Sequence, residues 1–171
     1  MRLAPLLLPH FLASCIALAT LPACAQDSGR YNHFIDFRAR PGALWGHTLH
    51  SLWPRRRTRP ASLIVSLYPD DGRPGLILGT FVPVRAAVRG VPDDFSETPS
   101  AIYRRTLSPA QYARLKATVN HIRANDHAWH ILAHNCNHFA NTVARSIGLY
   151  TPPNILVPNA WVRALKAMNQ R

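Results

Sequence analysis

The chain is poor in cysteine, in lysine and in acidic side chains, and each shortage narrows what it can be. Three cysteines, Cys15, Cys24 and Cys136, stand in 171 residues, too few for a disulfide-stapled framework. Eight Asp and Glu face twenty Lys and Arg, for a formal charge of +12. Lys116 and Lys166 are the only lysines among those cations; the rest are arginines, whose planar guanidinium suits bidentate contact with carboxylate or phosphate. Internal repeats and low-complexity tracts are absent, which excludes a solenoid. A hydrophobic content of 47% with 16% charged residues excludes a disordered basic tail. What is present fits one folded, cationic domain, long enough to bury a core without metal or disulfide.

Long apolar runs are also scarce, and the chief one lies at the N-terminus. It extends from Leu3 to Leu21 with Arg2 as the only early charge, and small residues close it. Residues 1–25 therefore read as an export signal rather than as part of the fold. Pro9 and His10 interrupt the run and the chain turns polar after Gln26, which argues against a mature membrane-spanning helix. Two processing patterns overlap. Ala23-Cys24-Ala25 has the form of a small-x-small cleavage site, whereas Leu21-Pro22-Ala23-Cys24 resembles a lipobox that would remove residues 1–23 and leave Cys24 lipidated. Either route predicts export, to the periplasm or as an outer-membrane lipoprotein, with residues 26–171 as one domain. Cys136 is then the one thiol with no internal partner.

The mature chain predicts an α+β fold: an antiparallel sheet of about five strands packed with two or three helices. Tyr31–Phe37 and Leu44–Leu52 have strand composition, with Pro41-Gly42 as the turn of a hairpin. The run Arg55, Arg56, Arg57 and Arg59 between Pro54 and Pro60 cannot occupy a central strand and reads as a solvated loop. Ser62–Tyr68 and Leu76–Val84 are read as two more strands joined by the turn formers of residues 69–75. Residues 91–100 read as a surface loop before a fifth strand, Ile102–Leu107. Ser108 as N-cap and Pro109 as first residue open a helix with Tyr112, Leu115, Val119 and Ile122 on its apolar face, closed by Asn125-Asp126. After Pro158 a final helix places Trp161, Leu165 and Met168 on one side.

Residues 129–150 carry the chemistry. Phe139, Val143 and Ile147 recur at intervals of four from Cys136, Asn135 suits the N-cap, and Gly148 supplies the stop. Cys136 then falls in the first turn, where unpaired N–H groups and the helix dipole favour a thiolate. A nucleophilic thiol also needs a base. His138 points away from the Cys136 face and His134 lies just before the cap, so His47, within Trp45-Gly46-His47-Thr48 on an early strand, is the better partner. Gly46-His47-Thr48 preceding Asn135-Cys136-Asn137-His138-Phe139 resembles the circularly permuted branch of the papain-like superfamily, which includes NlpC-type cell-wall peptidases and relatives of lecithin:retinol acyltransferase. The resemblance covers residues 44–50 and 135–148. It implies a permuted papain-like fold, Cys136 as nucleophile, His47 as base, and a reaction on an amide, thioester or ester. A third polar residue orients the histidine in that family, and Asp36, His50 and Ser66 are the candidates. N–H groups at the helix start, with Asn135, would stabilise the oxyanion.

Two other readings use different residues. The same fold without catalysis would make an envelope binding or scaffold lipoprotein. His127, His130, His134 and His138, at steps of three, four and four, would share one face if a single helix ran through them, giving a histidine-rich metal site. The preferred expectation has no metal site and no cofactor. The basic charge, with Trp45, Trp53 and Tyr68 near the arginine run, lacks any accompanying nucleic-acid motif. In an exported protein it suits an anionic envelope component, peptidoglycan or lipid, beside membrane contact through a lipid anchor.

Overall fold

A computed structural model describes residues 33–41, 47–53, 63–91 and 93–170. The expected signal segment with Cys24, the expected turn with Gly42, Trp45 and Gly46, and the arginine run of residues 54–60 lie outside the described residues, and so do the side chains of Trp53, Leu63, Asp93 and Phe95. In chain order the elements are β1 (His33–Arg40), β2 (His47–Trp53), β3 (Leu63–Pro69), α1 (Gly72–Leu78), β4 (Val84–Arg89), α2 (Asp93–Ser96), β5 (Ala101–Leu107), α3 (Pro109–Asn125), β6 (Ala128–Trp129), α4 (Cys136–Ser146) and α5 (Pro158–Asn169). The fold is α+β. Its antiparallel sheet has six strands among the described residues, ordered β5-β1-β2-β3-β4-β6.

Alternation along the strands decides which side chains meet. On β1, Ile35, Phe37 and Ala39 are fully buried, and their partners on β2 are Leu52, His50 and Thr48. That face is covered by helices: α4 lies against β2 and β3, α5 against β1, β2 and β5, and α3 packs on α4. Leu115, Val119 and Ile122 of α3, Phe139 and Val143 of α4 with Ile147 at its C-cap, and Trp161, Val162 and Leu165 of α5 fill the space between. Met168 is exposed, outside the buried side of its helix. The opposite face carries the register pair Asp36 and Arg104, joined by two hydrogen bonds of 2.6 and 2.7 Å that the guanidinium donates. Arg104 also stacks over Phe34, 4.3 Å from its ring centre.

The helix starts follow the local chemistry. Ser108 Oγ accepts the Gln111 N–H and the Gln111 side chain accepts the Ser108 N–H, a complete capping box ahead of Pro109. Gly148 takes φ of +85° just beyond the C-cap residue Ile147, a conformation that favours glycine. One expected strand is replaced. Leu76–Val84 was expected as a strand from its apolar run, yet Gly72 at φ +59° and Pro74 turn the chain into α1, and β4 begins only at Val84. Gly79, after α1, lies so close to the Trp129 ring that a Cβ there would sit 2.5 Å from it. Tight packing on β6 thus overrides the β propensity of the run. Similarly, the expected surface loop of residues 91–100 contains the single helical turn α2.

Trp161 anchors α5: it is fully buried, lies 6.1 Å from Phe37 centre to centre, and donates its indole N–H to Asn141 Oδ1 at 3.1 Å. Trp161→Ala is expected to lower the unfolding free energy by about 3–5 kcal/mol. Trp161→Phe, which keeps a ring but leaves the buried Asn141 acceptor unpaired, should cost about 1–3 kcal/mol. Urea denaturation measures both.

Candidate functional site

The site forms where the start of α4 meets the first residues of β2. Asn135 Oδ1 accepts the His138 N–H at 3.0 Å, so Asn135 is the N-cap and Cys136 the first helical residue. The Asn135 amide donates to the Ile131 carbonyl at 2.5 Å and, at 3.4 Å, to that of Asn154. Its donors thus tie the helix start to the preceding turn and to the segment after α4. Cys136 is buried, at 8% exposure. The groups that act on its sulfur are the N–H groups of Thr48, Asn137 and Cys136 itself, and the Thr48 hydroxyl. Burial pushes the thiol up, and it is the largest influence. The three N–H groups pull the other way, and the hydroxyl would join them with its hydrogen turned to the sulfur.

Thr48 meets α4 because alternation puts it on the helix-covered face with His50 and Leu52. His47, its chain neighbour, sits on the other face, its ring 4.1 Å from that of Tyr68 across the β2–β3 pair. Tyr68 donates its hydroxyl hydrogen to Asp94 Oδ1 at 2.6 Å, and Asp94 Oδ2 accepts the Val91 N–H at 3.0 Å. Arg40 Nε lies 3.8 Å from Asp94. Burial and then Asp94 raise the Tyr68 phenol, and Arg40 opposes them. His47 is held neutral, its pKa lowered to about 3 by burial, then by Arg40 and His50. Its Nε2 is buried with no hydrogen-bond partner among the described residues.

The three residues considered for orienting His47 have the following surroundings. Asp36 is engaged by Arg104 on the far face. Ser66 Oγ donates to the Thr48 carbonyl at 2.5 Å and so braces β2 just behind the thiol. His50 is fully buried between Phe37, at 4.9 Å, and Phe139, at 5.4 Å, with neither ring nitrogen hydrogen-bonded among the described residues. Burial lowers its pKa to about 3. His50 is close enough to lower the His47 pKa, and the polar group whose ring packs on His47 is the Tyr68–Asp94 pair. No sequence signal marked it, because only strand pairing and α2 bring the two together. Thr48 and Asn137 are the other additions, and both lie inside the motifs that flagged His47 and Cys136.

The histidine stripe does not share one helix. His127 precedes β6, His130 and His134 close a bridged turn, and only His138 is on α4. His134 Nε2 lies 2.5 Å from Asp126 Oδ2, and its ring is 4.5 Å from that of His138. Among the described residues no group of three His, Cys, Asp or Glu could hold a metal ion. No helix among them is long and apolar enough to cross a membrane. The chain matches no family model, no curated protein and no solved structure.

The buried imidazoles have a thermodynamic consequence. In the unfolded chain each titrates near 6.5, whereas the folded chain holds both neutral down to about pH 3. Between those values the unfolded state binds more protons, so stability falls as the pH falls, by about 1.4 kcal/mol per pH unit for each group. His50→Leu is expected to remove His50's share of that slope between pH 6 and pH 4. Urea denaturation across that range, with identical slopes for variant and parent, would count against a buried neutral His50.

Proposed function

We propose that the protein is an exported cysteine-dependent hydrolase or acyltransferase that acts on an amide, thioester or ester of the bacterial cell envelope, with Cys136 as nucleophile and His47 as proton acceptor. The observation that carries this reading is the buried thiol at the first residue of α4, with the N–H groups of Thr48, Asn137 and Cys136 around it, where Thr48 is the chain neighbour of His47. An uncharged imidazole has a nitrogen lone pair for a proton, and at His47 its strength as a base depends on relief of the burial that lowers its pKa. The His47 strand preceding the Cys136 helix, and that helix packed on β2 and β3, also support a permuted papain-like fold.

In the proposed reaction the Cys136 sulfur attacks the acyl carbon and its proton passes to His47. That transfer requires the His47 ring to turn from the Tyr68 side of β2 toward the sulfur and to shed the burial that lowers its pKa. The carbonyl oxygen becomes an oxyanion, to which the N–H groups at the start of α4 and that of Thr48 would donate. Asn135 contributes by fixing the helix start through its cap. Collapse expels the amine, thiol or alcohol, which leaves with the proton held by His47. The acyl group, now a thioester on Cys136, passes to water in a hydrolase or to a second acceptor in an acyltransferase. Localisation to the periplasm or outer membrane, anchoring through Cys24 and attraction to anionic peptidoglycan or lipid complete the reading on the strength of the N-terminal segment and the charge of +12.

A second reading, an inactive binding or scaffold protein of the envelope, draws on one observation: burial pushes both the thiol and His47 toward their neutral forms, which disfavours a preformed thiolate–imidazolium pair. Incubation with p-nitrophenyl octanoate separates the two. Catalysis predicts one octanoyl adduct on Cys136 by peptide mass spectrometry, none in Cys136→Ser, and acylation at least about 100-fold slower in His47→Ala. Absence of the adduct, with iodoacetamide labelling no faster than that of free cysteine, would establish the scaffold reading instead.

A further inference from the structure

We infer that α1 and the turn after it form a surface that inserts into the interfacial layer of an anionic lipid bilayer. The observation behind it is an inverted amphipathicity. A helix packed on a sheet in water normally buries its large apolar side chains, but α1 buries only Gly75. Gly75 and Gly79 bring the backbone down onto the fold: a Cβ on the first would sit 2.8 Å from Pro69 Cβ, and on the second 2.5 Å from the Trp129 ring. The large side chains are left outside. Leu76, Ile77, Leu78, Phe81 and Val82 are all exposed, Ile77 by 65% and Phe81 by 78%. A hydrogen bond from the Ile131 N–H to the Gly79 carbonyl brings up the chain at Leu132, itself 64% exposed. Six exposed large apolar side chains thus gather at the end of the sheet that carries β4 and β6.

Hydrogen bonding decides what kind of partner suits this corner. The N–H groups of Leu76, Ile77 and Leu78 bond within the helix. Those of Gly79, Thr80, Phe81 and Val82 bond the carbonyls of Gly75, Ile77 and, twice, Leu78, at 2.8–3.2 Å, and Pro83 has no N–H. Thr80, the only polar side chain in residues 76–83, donates its hydroxyl hydrogen to the Ile77 carbonyl at 2.7 Å. Every donor from Leu76 to Val82 is therefore satisfied inside the segment. A protein partner that adds a strand needs open N–H groups and finds none there, whereas an apolar lipid layer requires their absence. Charge selects the lipid. Beside the patch Arg73 and the exposed Arg85 are balanced by Asp70 and Asp71, so the attraction to an anionic surface comes from the +12 of the whole chain. The patch shares no residue with the Cys136 site, and the inference stands apart from the chemistry proposed there.

The test mixes the full chain with vesicles of phosphatidylglycerol and phosphatidylethanolamine that carry a diazirine on an acyl chain, and maps the photolabelled residues by peptide mass spectrometry. Insertion predicts label on residues 76–82 and on Leu132, beside any taken up by the apolar run of residues 3–21. Ile77→Gln with Phe81→Gln, which leaves the charge unchanged, should lower the label on Leu78 and Leu132 at least about tenfold and leave that on residues 3–21 as it was. Vesicles of phosphatidylcholine alone should label Leu78 and Leu132 at least about tenfold less than the anionic vesicles do. Label confined to residues 3–21, or no label, overturns the inference, and so does equal label from phosphatidylcholine. A dimer in sedimentation that the two substitutions dissociate also overturns it, because the patch would then belong to a second copy. Should the double variant fail to fold, the labelled positions and the lipid dependence of the parent chain decide. Octanoylation of Cys136 is read separately, so failure of one proposal leaves the other standing.

Discussion

Asn137 is buried, and a buried carboxamide must find partners for two donor hydrogens and an acceptor oxygen or cost the fold about 1–3 kcal/mol for each group left unpaired. It finds them on three different parts of the chain: Thr48 on β2, and the Asn154 and Leu156 carbonyls after α4. Those bonds set how far α4 slides along the sheet and where the returning segment crosses it. Asn135 and Asn141 extend the same logic along the helix, one to the Ile131 carbonyl and the other to the Trp161 indole. Three asparagines on one helix thus fasten it to the preceding turn, to the sheet, to the returning segment and to α5. The position of Cys136 follows from where that helix is pinned.

The surroundings of the thiol are built for neutrality rather than for charge. His47, His50 and Cys136 are all pushed by burial toward their uncharged forms. Hydrogen-bond donors oppose this only at the sulfur, where helix-start and strand N–H groups converge. A catalyst of this kind would generate its thiolate as the reaction proceeds, rather than store it. The aromatic walls, Phe37 and Phe139 around His50 and Tyr68 beside His47, supply the desolvation.

Several features of this arrangement could be read from residue order. The Asn135 cap, the start of α4 at Cys136 and the Gly148 stop lie within a dozen or so residues, and helix ends are decided by nearest neighbours. The capping box at Ser108 is legible for the same reason. The apolar run at Leu76–Val84 was misleading, because its fate depends on Gly79 fitting against Trp129, fifty residues later. Likewise the side chain packed beside His47 could not be chosen from composition. Asp36, His50 and Ser66 are each chemically suitable, but a neighbour across a sheet is set by register, and register placed Tyr68 there.

By itself the sequence determined the α+β class, the helix that opens at Cys136, the strand that carries His47 and the prominence of that one thiol, since propensity, capping and periodicity act over a few residues. Only the tertiary structure decided which side chains meet at the start of α4. Strand alternation turned Thr48 rather than His47 toward that helix, where the Thr48 hydroxyl donates to Asn137. Both outcomes depend on contacts between residues as much as 89 positions apart. Their geometry exists only once the sheet has its register and the helix its seat.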